Sequence, residues 1–261
     1  LTPEGADLVV FPEAWARDFG EAGSDVSAYA EAVDGPFATE VARVATERGT
    51  TLLAGMFEVS GDPGRPWNTL VLRGAATADY RKVHLYDSFG YRESDRLSPG
   101  EISAVTSPLG GLTVGLMTCY DLRFPEMARA LVDAGADVLV VPAAWVAGER
   151  KVDHWRTLVR ARAIENTAYV VAVGQPGPRY TGHSMVVDPL GDVLALGSND
   201  VPRRGGGPYW PGADDRRDLV KGKDSNTSQR RQLLLEVARQ LGVERAEEFA
   251  AQLDRTELRN L

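Results

Sequence analysis

The chain has 261 residues, a formal net charge of −8 and an isoelectric point near 5.0. That balance excludes a general nucleic-acid binder, which needs basic surface to neutralise phosphates. No apolar run approaches the ~20 residues of a membrane-spanning helix, and 43% hydrophobic with 25% charged residues suits one large core that needs no disulfide staples.

No basic start followed by an apolar stretch marks a secretory signal. The chain opens on Leu1 rather than Met, as a fragment or a trimmed product would. Ala6 to Phe11 reads as a strand buried on both faces, ending in Pro12 and Glu13. Gly35-Pro36-Phe37 opens a helix that runs to Arg48, with Phe37, Val41, Val44 and Ala45 on one face and Gly49 as its stop. Thr51 to Phe57 is the next strand. Trp67 to Leu72 and Thr77 to Lys82 read as adjoining strands around Gly74. Residues 83 to 100 form a long polar and aromatic loop, and a loop of that length in a folded domain is commonly functional.

Leu112 to Thr118 is a strand leading into Cys119, followed by a helix from Phe124 to Ala134. Asp137 to Val141 is an apolar strand closed by Pro142. His154 to Asn166 is a helix, Ala168 to Val173 a strand, and His183 to Val187 with Val193 to Leu196 a hairpin around Asp188-Pro189-Leu190-Gly191-Asp192. Strands alternating with helices predict an α/β fold. Glycine-rich phosphate loops are missing, so no nucleotide cofactor is expected. After Leu196 the composition shifts. Residues 203 to 223 read as a linker, and two amphipathic segments after it read as a helical tail. The predicted division is residues 1–198 as the main domain and 199–261 as linker and tail.

Cys119 is the only cysteine, so the chain can form no internal disulfide, which fits a reducing compartment such as the cytoplasm. A cysteine on a tight turn after a buried strand is placed as a nucleophile must be, or it packs as a small hydrophobe. Glu13 and Lys82 each end a strand, and Glu93 lies in the long loop. Taken singly, each also reads as an ordinary surface or capping residue. Taken together they form a working set. A carboxylate can take the thiol proton, and a second can hold the lysine charged. Lys82 and the Tyr120 backbone N–H can stabilise an oxyanion formed by attack on an amide. The three histidines, His84, His154 and His183, have no metal-type spacing, and His154 at a helix start reads as packing or capping.

Five ordered segments carry a family likeness: LVVFPEAW at Leu8–Trp15, YRKVHLYD at Tyr80–Asp87, TVGLMTCYDLRFPEM at Thr113–Met127, HWRTLVRARAIEN at His154–Asn166 and GHSMVVDPLG at Gly182–Gly191. The chain resembles the nitrilase superfamily of carbon–nitrogen hydrolases over roughly its first three quarters. The resemblance implies a four-layer α-β-β-α sandwich and a catalytic Glu13-Lys82-Cys119 triad with Glu93 as a second glutamate. It implies no metal or organic cofactor. The loop after Lys82 is most similar to bacterial amidases related to omega-amidase and deaminated-glutathione amidase. That implies a small carboxylic-acid amide as substrate, a thioester intermediate and a homodimer. Arg123 then either holds a substrate carboxylate or makes a structural ion pair, and Tyr86, Phe89, Tyr91 and Trp145 are pocket walls or core. A hydrolase of this kind is expected to have a Cys119 that alkylates faster than a free thiol at neutral pH.

Two departures stand beside the resemblance. The family's first strand and helix have no counterpart before Leu8, which predicts an exposed edge in mid-sheet. The tail from Asn199 does not match the family's C-terminal segment. The other functional readings are a catalytically impaired binding module that uses the tail, and a nitrilase acting on a nitrile.

Overall fold

Apolar runs bounded by turn residues become strands, and the strands sort into two sheets. The computed structural model describes residues 6–88 and 90–197, together with the backbone of Asp218–Leu219. Phe89 and the helical reading of the tail lie outside the described residues.

The first half supplies β1 (Leu8–Val10), α1 (Pro36–Arg48), β2 (Thr51–Glu58), β3 (Trp67–Arg73) and β4 (Ala78–Arg81). A small hairpin follows, β5 (Asp87–Ser88) and β6 (Tyr91–Arg92), with a 3-10 turn at Glu93–Asp95, so the expected long loop is partly structured. The second half supplies β7 (Thr106–Leu109), β8 (Leu112–Leu116), a 3-10 turn at Cys119–Arg123, α2 (Pro125–Asp133), β9 (Val138–Ala143), α3 (Lys151–Asn166), β10 (Tyr169–Gly174), β11 (Met185–Val187) and β12 (Val193–Leu196). A two-residue strand, β13 (Asp218–Leu219), completes the set.

One sheet has the order β13-β1-β2-β3-β4 and the other β12-β11-β10-β9-β8-β7. Side chains alternate across the first sheet with a period of two. Leu8, Val10 and Leu53 belong to the main core with Val114, Leu116, Leu139 and Val140 of the second sheet. Val9, Leu52 and Ala54 point the other way, onto Val41 and Ala45 of α1. The second sheet is covered by Ala128 and Leu131 of α2 and Trp155, Val159 and Ala163 of α3. The outcome is the expected α-β-β-α sandwich. Each fully buried leucine of its central layer contributes about 1.5–3 kcal/mol.

Several expectations shift. The helix expected from His154 begins one turn earlier, at Lys151, which moves His154 inside it. Pro142 lies within β9 instead of closing it. Beyond Leu116↔Val140 the neighbouring β8 has no pairs left, so a proline there forfeits no bond to that strand. The free side of β1 is occupied in the described structure. Leu8 pairs with Leu219 and Val9 with Asp218, which places part of the expected linker in the sheet. Among the described residues no helix is long and apolar enough to cross a membrane.

Candidate active site

Three strand ends deliver three chemical groups to one place. Glu13 follows β1 on a turn that Phe11 N–H anchors to the Leu53 carbonyl (2.9 Å) and Ala16 N–H to the Gly55 carbonyl (2.9 Å). A side chain at Gly55 would put its Cβ 2.6 Å from the Ala14 nitrogen, so only glycine lets this turn cross β2. Lys82 follows β4, its N–H bonded to the Asn68 carbonyl (2.8 Å) and its own carbonyl to Gly100 N–H (2.8 Å). Cys119 follows β8 with φ +45°, the left-handed conformation of a sharp strand-to-helix elbow. A non-glycine residue held there costs about 1–3 kcal/mol and persists only when its surroundings enforce it.

The enforcement comes from Asp121, a fully buried residue that reasoning from the sequence did not single out. Its Oδ2 accepts from Tyr80 Oη (2.6 Å) and Thr118 N–H (2.8 Å), and its Oδ1 from His84 N–H (3.0 Å). His84 Nδ1 lies 2.8 Å from the same Oδ1, and the imidazole stacks on Phe124 with centroids 3.6 Å apart. One carboxylate therefore ties the elbow of the second sheet to the end of β4 in the first. An acid two residues after a strand-end cysteine, where it can cap the following turn, was the available signal.

The heads meet at the core of this arrangement. Lys82 Nζ donates to Glu13 Oε1 (2.9 Å) and to both oxygens of Glu93 (3.0 Å each). Glu13 Oε1 also accepts from Asn68 Nδ2 (2.8 Å), and its Oε2 from the Ala144 N–H at the end of β9 (2.7 Å). Glu93 Oε2 accepts the Tyr86 N–H (2.6 Å), while Glu93 N–H donates back to the Tyr86 carbonyl (3.1 Å). Relative exposures are 1% for Glu13, 2% for Lys82, 3% for Glu93 and 8% for Cys119, so little bulk water screens these charges. All four line one cavity of about 780 Å³, with Tyr86, Tyr91, Tyr120, Trp145 and His154 in its wall. Arg123 is not part of that wall. Its guanidinium lies 5.0 Å from the Trp145 ring centroid and 5.9 Å from that of Tyr120, with Nη2 3.3 Å from His154 Nδ1. The carboxylate-holding reading of Arg123 therefore lacks the contact it needs, and the ion-pair reading fails too, because its partner is an imidazole.

The carbon-nitrogen hydrolase family matches residues 2–201 of the chain. The chain belongs to that family. A hydrolase of Mycobacterium tuberculosis is 44% identical over 209 residues, covering 73% of each chain. Deaminated glutathione amidase of Escherichia coli is 44% identical over 195 residues, again covering 73% of each. Among solved structures, a variant of the amidase from Nesterenkonia sp. AN1 carries the acetamide moiety of fluoroacetamide covalently on its active-site cysteine. It superposes with a TM-score of 0.63 at 32% identity, covering 74% of this chain and 73% of that one. Nit3 of Saccharomyces cerevisiae, from the nitrilase superfamily, gives a TM-score of 0.62 at 27% identity over 74% and 73% of the two chains. The protein is thus a nitrilase-superfamily hydrolase of carbon–nitrogen bonds other than peptide bonds.

The electrostatics of this hydrolase follow from the burial. Desolvation opposes the charge on Lys82, but Glu13, Glu93 and Cys119 together push its ammonium well above the usual lysine range. Burial raises the Glu93 carboxyl, which Lys82 counters in part. Burial, the Glu13 charge and a hydrogen bond to Glu13 raise the Cys119 thiol well above its ordinary value, against the pull of Lys82. This direction favours the protonated thiol and runs opposite to the lowered pKa on which the fast neutral-pH alkylation expected from the sequence depends. Glu13 is the carboxylate hydrogen-bonded to this thiol. Among the described residues no three His, Cys, Asp or Glu side chains cluster closely enough to hold a metal ion. Of the histidines, only His154 reaches the cavity. His183 lies outside it, near Arg156, and burial and that cation lower its pKa.

Proposed function

We propose that the enzyme is an amidase acting on a small carboxylic-acid amide, with Cys119 as nucleophile, Glu13 as general base and Lys82 as the cation of the oxyanion site. The observation that carries this reading is the convergence of the three groups, from three strand ends, on one cavity. Glu13 takes the thiol proton as Cys119 Sγ bonds to the amide carbon. Two Lys82 N–H groups serve Glu13 and the forked contact to Glu93, and the third joins the Tyr120 N–H in holding the oxyanion. The Tyr120 N–H belongs to the first turn after the elbow, where such groups lack an intrahelical acceptor. Glu13 then returns the proton to the nitrogen, the C–N bond breaks, and ammonia or an amine leaves a Cys119 thioester. Glu13 next deprotonates water, which attacks the thioester and frees the acid and the thiol. Glu93 fixes Lys82 and keeps it charged, while Tyr86, Tyr91 and Trp145 wall the substrate. The relatives' names, deaminated glutathione amidase above all, support a substrate of this class.

The test is ammonia release from succinamate, glutaramate and acetamide by the wild type and Cys119→Ala. Release by the wild type and none by the variant is expected, and equal release by both would overturn the assignment. The assembly we propose is a homodimer. It is supported by Ile164 of α3 and Leu190 of the hairpin, large exposed apolar residues flanking Gly191, and is checked by light scattering. A functional thiol in a chain without disulfides suits the cytoplasm, the compartment we assign.

A further inference from the structure

The cavity contains more than the proposed triad uses. At about 780 Å³ it has room for a substrate with a second functional end. The triad end sets two carboxyl groups, Glu13 and Glu93, against one ammonium, so a further anion is repelled there. A different electrostatic environment comes from α3. Lys151 and His154 stand three residues apart in its first turn, which puts them on one helix face, and both line the cavity.

Both side chains are held in place. Lys151 Nζ donates to Tyr86 Oη (3.1 Å) and lies 5.0 Å from the Tyr86 ring centroid and 5.9 Å from that of Trp145. The Lys151 carbonyl accepts the Trp145 indole N–H (3.0 Å), so the same residue is fixed from its backbone. His154 is fixed by Arg123, whose Nη2 approaches Nδ1 at 3.3 Å. A guanidinium has donors only, so Nδ1 must accept, and the ring proton resides on Nε2. Nε2 has no partner among the described residues. Of the acids on the cavity rim, Glu21 is paired with Arg179 (2.6 Å) and Glu149 is exposed to solvent.

We infer that Lys151 Nζ and His154 Nε2–H form a subsite for a carboxylate at the far end of the substrate, so that the enzyme prefers amides bearing a free carboxylate to uncharged amides of equal length. Arg123 acts through His154 as a positioning residue. The inference rests on the amidase reading above.

Succinamate and butyramide test it, since they differ in a carboxylate replacing a methyl group. The wild type favours succinamate in kcat/KM. In Lys151→Met and His154→Phe the succinamate-to-butyramide ratio falls by about tenfold or more, through KM. His154→Gln, which keeps a donor near Nε2, retains most of it. A second measurement needs no turnover: succinate shields Cys119 from iodoacetamide, and its half-protecting concentration rises about tenfold in the same two variants. A ratio and a protection that do not move, or equal losses for both amides, overturn the subsite. Succinate protection that depends on Lys151 and His154, in an enzyme that hydrolyses neither amide, supports the subsite and removes the amidase reading instead.

Discussion

Lys82→Met deletes a positive charge where almost no water can replace it. The ammonium holds Glu13 at 2.9 Å and Glu93 at 3.0 Å, and all three side chains are at least 96% buried. Methionine fills nearly the same volume, so the loss is electrostatic rather than a cavity. Removing one partner of a buried ion pair costs about 3–5 kcal/mol. Glu13 keeps its bonds from Asn68 and Ala144, and Glu93 keeps the Tyr86 N–H, which places the expected cost at the low end. For a chain of this size that is a fall in Tm of roughly 6–12 °C, at about 2–4 °C per kcal/mol. Hydrolysis should fall by about 10²–10³, the typical loss when an oxyanion donor is removed. The decisive variant is Lys82→Met combined with Glu93→Gln. The substituted amide still accepts the Tyr86 N–H but removes the repulsion between two buried carboxyl groups, so it should recover about 1 kcal/mol or more while activity stays lost. Thermal unfolding and ammonia release measure the two effects separately. A double variant no more stable than the single one, or one that regains hydrolysis, would refute the reasoning.

Glu13→Gln removes the negative charge that helps hold the Cys119 proton, while Lys82 still favours the thiolate. The pH midpoint for iodoacetamide alkylation should therefore move down as ammonia release falls by about 10²–10⁴, and a midpoint that rises contradicts the assignment. Asp121→Ala strands Tyr80 Oη, the Thr118 N–H and the His84 N–H in the interior, so about 2–4 kcal/mol of stability and most of the activity should go together in urea titrations and turnover assays. Alkaline stability follows from two raised groups: Lys82, where neighbouring acids overcome desolvation, and Tyr80, where burial and Asp121 keep the phenol protonated. Above about pH 10 the unfolded chain releases these protons while the folded chain keeps them, so stability is intact below that pH and declines above it. Urea midpoints between pH 8 and 11 should show the decline, made shallower by Tyr80→Phe; a steeper decline in that variant would contradict the linkage.

Glu13, Lys82, Glu93 and Cys119 were legible in the sequence because each combines a reactive residue type with a strand end or functional loop, and because the motifs occur in a recognisable order. Their supports were harder to see. Asn68 lies within β3, and Asp121 passes for an ordinary turn acid, since the contacts that give them their roles reach distant segments, Glu13 for Asn68 and Tyr80 and His84 for Asp121. Arg123 was misread for a related reason. Its place four residues after the nucleophile says it is near, but the 3-10 turn aims it at Trp145 and His154 rather than into the cavity. The capping half of the His154 reading falls because α3 starts at Lys151; a helix beginning at His154 would leave it an end cap, whereas one extra turn puts it in register with Lys151 on the cavity wall. Reactive groups are set by residue type and strand end, which a linear pattern carries. Their orientation is set by packing between distant segments, which it does not. That division also separates the expected phenotypes. A change at Cys119 should remove chemistry with modest effects on folding, whereas changes at Asp121 should remove both, because the same carboxylate that aims the elbow also joins the two sheets.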